Sequence, residues 1–167
     1  MKRFALILSL LLMAAGLGAQ NSKRSIAFVQ ESGDNYYQIF SYDAPDGSRG
    51  YYLGMGKPET AGASEETFVL LGTNVNDAVE SLKSIYSLYG AAVGDTREFK
   101  AKTGAKLPEG DFLKAKVQVE KKQGTNKTQL SVSCKSGSKT LVTKIEKNSV
   151  KSLQKFLSSY QKRHPDN

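Results

Sequence analysis

The chain has 167 residues, 39% of them hydrophobic, with 24 Lys or Arg against 16 Asp or Glu and a formal charge of +8. One cysteine and one histidine exclude an internal disulfide framework and a Cys/His-rich metal site. A Cys–His or Ser–His–Asp site would have to take its base from His164, three residues from the end.

The first residues, MKRFALILSLLLMAAGLGAQ, set Lys2 and Arg3 before an apolar run from Phe4 to Ala15 and close on small side chains. That order is expected of a secretory signal peptide over residues 1–19, cleaved after Gly18 or Ala19. The run falls short of the ~20 apolar residues that span a bilayer, so no transmembrane segment is expected in the mature chain. The expected location is periplasmic or secreted. Losing Lys2 and Arg3 lowers the formal charge by two, to +6.

Strands are expected at Ser25–Gln30, Tyr36–Tyr42, Gly50–Met55 and Glu66–Gly72, separated by the turn compositions SGDN, DAPDGS and KPETAGAS. Gly54 and Gly56 in YYLGMG read as a turn or strand end, not a phosphate loop. AVESLKSIYSLY at 78–89 then carries Val79, Leu82, Ile85, Tyr86 and Tyr89 at helical spacing. Asp77 is its expected N-cap and Gly90 its stop.

After a short join at 91–96, strands are expected at Arg97–Lys102, Phe112–Lys121, Thr128–Lys135 and Lys139–Glu146. GTNK and KSGS have hairpin-loop length. In FLKAKVQVE, Leu113, Ala115, Val117 and Val119 alternate with Lys114, Lys116, Gln118 and Glu120, which gives one wet side. Leu130, Val132 and Cys134 share a face, so the lone thiol is expected in the core. SVKSLQKFLSSY at 149–160 closes the chain with a stripe of Val150, Leu153, Phe156, Leu157 and Tyr160, behind Asn148 as expected cap and before Pro165.

The two helical segments match at a spacing of 71: Val79 with Val150, Ser81 with Ser152, Leu82 with Leu153, and Tyr89 with Tyr160. The expected fold class is α+β, in two similar halves, 20–94 and 95–167. Each is a roughly four-stranded antiparallel sheet followed by one packing helix. A half of this size has a marginal core alone, so the halves are expected to fuse into one sheet or pack closely.

Residues 20–94 hold five basic and nine acidic side chains, and residues 95–167 hold seventeen and seven. A net charge of −4 is thus joined to one of +10. Five of the eight tyrosines lie at Tyr36, Tyr37, Tyr42, Tyr51 and Tyr52. In YYQIFSY, Tyr37, Ile39 and Ser41 point one way while Tyr36, Gln38, Phe40 and Tyr42 point the other. Either both sheet faces are covered there or an aromatic patch remains exposed.

No HExxH, GxSxG, P-loop or dinucleotide glycine fingerprint occurs, and no carboxylate pair has the spacing of an acid/base couple. No cofactor, metal or catalytic residue is expected, and the chain reads as a non-enzyme. The expected role is an exported binding or adaptor protein, inhibitory in one version, that recognises another envelope or secreted protein. Its candidate contact residues are Tyr36, Tyr37, Tyr42, Tyr51, Tyr52, Lys114 and Lys116. An anionic lipid or envelope polymer is a second partner class. Nucleic acid is disfavoured, because lysine greatly outnumbers arginine and the basic half lacks interleaved exposed aromatics. The alternative role is a carrier of a small apolar or lipid-like ligand between sheet and helices.

Overall fold

The computed structural model describes residues 22–30, 35–56 and 65–165. The expected signal peptide and most of the SGDN and KPETAGAS loops lie outside the described residues.

The first half supplies β1 (Ser22–Gln30), β2 (Tyr36–Asp43), β3 (Arg49–Gly56) and β4 (Glu66–Gly72). Helix α1 (Val75–Ser87) follows and ends in a 3₁₀ turn at Leu88–Gly90. The second half repeats the layout with β5 (Thr96–Gly104), β6 (Glu109–Lys121), β7 (Thr128–Ser136), β8 (Lys139–Ile145) and α2 (Lys147–Arg163). The fold is therefore α+β, built of two four-stranded antiparallel halves each followed by a helix. The eight strands form one antiparallel sheet in chain order. The seam between halves is short, pairing Glu66–Val69 of β4 with Ala101–Gly104 of β5.

Both helices begin earlier than the sequence suggests. Asn74, in extended backbone, accepts the Asp77 amide at 2.9 Å, so Asp77 sits in the first turn of α1 and not at its cap. Val75 is fully buried, and the helix must start before it to point that side chain inward. At α2, β8 ends on buried Ile145, which leaves Glu146 as the cap and places Asn148 inside the first turn. The α2 stripe also turns: Leu157 is buried and Phe156 is 51% exposed, because Phe156 lies on the flank of the Val150–Leu153–Leu157 row.

The helices do not each cover their own half. Helix α1 lies on β3 and β4, and its 3₁₀ end reaches β6 and β7. Helix α2 instead packs mainly along β1 and β2, beside α1. The two helices run antiparallel: Gln161 Nε2 donates to Asn76 Oδ1 at 2.6 Å, and the Lys147 ammonium lies over the Tyr86 ring. One contiguous core results, in which Ile39, Leu53, Leu82, Val117, Leu130 and Leu153 are all essentially inaccessible. Each such leucine contributes ~1.5–3 kcal/mol by leaving water.

A second, smaller core lies on the outer face of the first half, where Phe40, Tyr42, Tyr52 and Phe68 cluster. Gly54 lies within β3, inside a strand and not at its end, and its missing side chain makes room for these rings. A Cβ there would meet Phe40 at 3.1 Å and Phe68 at 3.3 Å. Leu107, Ala44 and Leu70 pack against the cluster, and Lys23 lies across it, 4.3 Å from the Phe40 ring centre.

Candidate functional site

The five tyrosines divide between the two cores. Tyr37 and Tyr51 point inward beneath the helices, and both are about fully buried. Tyr42 and Tyr52 belong to the outer cluster and are also buried. Tyr36 is half-buried and stacks on Phe28, ring centres 5.9 Å apart. Both faces of β2 are thus covered, and four of the five rings are packing groups with no free face for a partner. The covering groups come from elsewhere in the chain: Lys23 donates to the Lys106 carbonyl at 3.2 Å, holding β1 against the β5–β6 loop. Burial over those rings lowers the Lys23 pKa, an effect that the nearby Glu66 carboxylate opposes. Burial likewise raises the Tyr51 and Tyr52 hydroxyls above their ordinary values, with Tyr160 and Tyr42 adding to it respectively.

Lys114 and Lys116 are exposed, as the alternation of β6 demands. They belong to a wider field. Inward-facing Phe99, Ala101, Ala115 and Val117 fix the register, so Glu98 and Lys100 of β5 stand on the outer face opposite Lys116 and Lys114. Across β6, Lys116 is opposite Ser133, which is opposite Val142 of β8. Lys135 lies two residues beyond Ser133 on the same face, and Lys102 stands beside Phe68 at the border of the outer aromatic cluster. Phe112, 48% exposed, lies under the Lys102 and Lys100 ammonium groups at 4.7 and 5.9 Å from its centre.

The outer face of β5–β8 therefore holds Lys100, Lys102, Lys114, Lys116, Lys135 and Lys144 against Glu98 and Glu120. Both acids are engaged, Glu98 with Lys114 at 3.2 Å and Glu120 with Lys144 at 3.6 Å. Among the described residues, Lys100, Lys102, Lys116 and Lys135 have no carboxylate within ion-pair distance. Lys100 and Lys114 sit directly opposite one another, a like-charge cross-strand arrangement that costs stability. Sequence reasoning named Lys114 and Lys116 but missed Lys100, Lys102, Lys135 and Phe112. The signal for the first two is the alternation of Glu98, Lys100 and Lys102 with Phe99 and Ala101.

Two surface grooves add to the positive field. One of about 270 Å³ runs between α1 and α2, lined by Val79, Leu82, Lys83, Lys151, Lys155 and Leu157. The other, about 390 Å³, lies between the β6–β7 loop and the start of α2, lined by Lys122, Lys127, Glu146 and Lys147. Lys122 pairs with Glu146 across it.

Cys134 faces the core beside Leu130 and Val132, and burial raises its pKa, which disfavours the reactive thiolate. His164 follows α2, exposed, with its ring on Tyr160 at 4.5 Å. Among the described residues, no three His, Cys, Asp or Glu side chains come together to hold a metal ion. No described helix is long and apolar enough to cross a membrane. Comparison of the chain with family models, with curated proteins and with solved structures finds no match in any of the three.

Proposed function

We propose that this chain is an exported, non-enzymatic binding or adaptor protein that docks an acidic surface of another protein onto the outer face of β5–β8. The observation that carries this reading is the set of four lysines outside any ion pair among the described residues, Lys100, Lys102, Lys116 and Lys135, on one open sheet face. A face that exists only to be wet is served equally well by mixed charges, which avoid the repulsion of Lys100 against Lys114. Phe112 gives the field an exposed aromatic ring with the Lys102 and Lys100 ammonium groups over it. The carrier reading draws less support, since the space between sheet and helices is occupied by Tyr37, Ile39, Leu53, Leu82 and Leu153.

The test is amine-reactive crosslinking of the mature chain in its native envelope, followed by mass spectrometry. The expected result is one stoichiometric protein joined through Lys100, Lys102, Lys116 or Lys135. The variant with all four changed to Glu should bind that protein at least about tenfold more weakly and lose the salt dependence of association. A lipid recovered with the native chain, with no protein partner, would overturn the reading in favour of the carrier.

A further inference from the structure

The lysine face ends at an open edge. β8 is the last strand of the sheet, pairs only with β7, and does so through seven successive residues with no register shift. The opposite edge is interrupted: β1 changes register between Ser25 and Ala27, which breaks its row of edge backbone groups. At the C-terminal end of β8 the carbonyls of Lys144 and Ile145 also accept hydrogen bonds from the Tyr37 and Tyr89 hydroxyls. No described helix or strand runs along the free side of Lys139–Thr143. Such an edge presents unpaired backbone groups in register for another strand.

The side chains select what that strand is. Two copies of this chain joined antiparallel about Val142 would set Lys144 of each opposite Thr140 of the other, beside that copy's Lys135. A parallel pairing would set each lysine against itself. Like charges brought together in these ways are repulsive, so self-pairing is disfavoured. On the outer face Lys144, Val142 and Thr140 alternate, with Lys135 opposite Thr140 and Val142 54% exposed. That pattern fits a strand carrying a carboxylate, an apolar group and a second carboxylate at alternate positions.

We propose that the free edge of β8 receives an extended acidic segment of the partner protein as a ninth strand, its carboxylates facing Lys144 and Lys135 and its apolar side chain against Val142. This rests on reading the β5–β8 face as the docking surface and adds the mode of attachment. Main-chain hydrogen bonds would supply affinity, and the alternate side chains the selection.

The probe is a synthetic heptapeptide with Glu at its second and sixth positions, Val at the fourth and Thr elsewhere. Hydrogen exchange by NMR should show those amides of 139–143 that point away from β7 protected at least tenfold on its addition. The same peptide N-methylated at alternate amides should not bind. Lys135→Glu with Lys144→Glu should abolish binding while the thermal midpoint shows the variant folded. Equal binding of the N-methylated peptide, or binding without protection of 139–143, overturns edge addition. If the peptide fails while the partner still crosslinks through Lys100 or Lys116, edge addition falls and the docking face stands. If both fail, both fall. A dimer of the chain alone, protected at 139–143, replaces the proposal with self-pairing.

Discussion

The Tyr89 hydroxyl, carried by the turn that ends α1, donates to the Ile145 carbonyl at 2.7 Å, across 56 residues of sequence. The Tyr37 hydroxyl reaches the neighbouring Lys144 carbonyl. Two side chains of the first half thereby fix the last two residues of β8, and so the point from which α2 departs.

Tyr89→Phe keeps the ring and deletes the donor, leaving a buried carbonyl short of a partner. It should destabilise by about 1–2 kcal/mol, read as a lower urea midpoint at unchanged slope. Because Tyr37 acts on the adjacent carbonyl, the double Tyr37→Phe/Tyr89→Phe variant should depart from additivity. Additive losses would mean that the two bonds act independently.

Gly104 ends β5 where the following loop folds back. A Cβ there would lie 2.2 Å from the Leu107 carbonyl oxygen, a backbone atom with little freedom to give way. Gly104→Ala should cost ~1–3 kcal/mol and loosen Leu107 over the outer aromatic cluster. Fluorescence of Tyr52 and Tyr42, followed with denaturation, checks both.

Asp43 accepts from Arg49 and from Ser22, and those hydrogen bonds hold its carboxyl below the usual carboxylate range. Glu65 is lowered in the same way by Ser136 and Thr103. With folded values below the unfolded ones, both groups stabilise the fold at neutral pH. That contribution fades as pH falls through the unfolded and then the folded values. Both side chains are exposed, so each is worth only ~0.2–1 kcal/mol. Asp43→Asn should reduce the loss of urea midpoint between neutral and acid pH, and an unchanged slope would refute the assignment.

Lys100→Glu replaces the like-charge pair with Lys114 by an attractive one. Stability should rise by a few tenths of a kcal/mol, up to about 1, while affinity for an acidic partner falls. A variant that gains stability and loses nothing in binding would show that Lys100 stands outside the docking surface.

The alternation of β6 was legible because one side is wet and the other meets Val132 and Leu130. Around Tyr36–Tyr52 the same alternation identified two faces but not their cover, which comes from Lys23 and Leu107, distant in sequence. The α2 stripe announced a packing helix. Nothing in its spacing tells that the surface it meets is β1 and β2 and not the strands just before it. The lysine field was half legible for a related reason: Lys114 and Lys116 stand in one strand, whereas Lys100, Lys102 and Lys135 join them only through register.

The exchange of α2 onto β1 and β2 also sets an order of events during synthesis. The inner face of β1 and β2 is made early, and the helix that packs along it is made more than a hundred residues later. A nascent chain stopped at residue 94 has four strands and α1, with the Ile26 and Tyr37 side of its sheet still bare. Contacts at such separation make for slow closure. The inner side of β1 and β2 is therefore covered only when the final helix has been made.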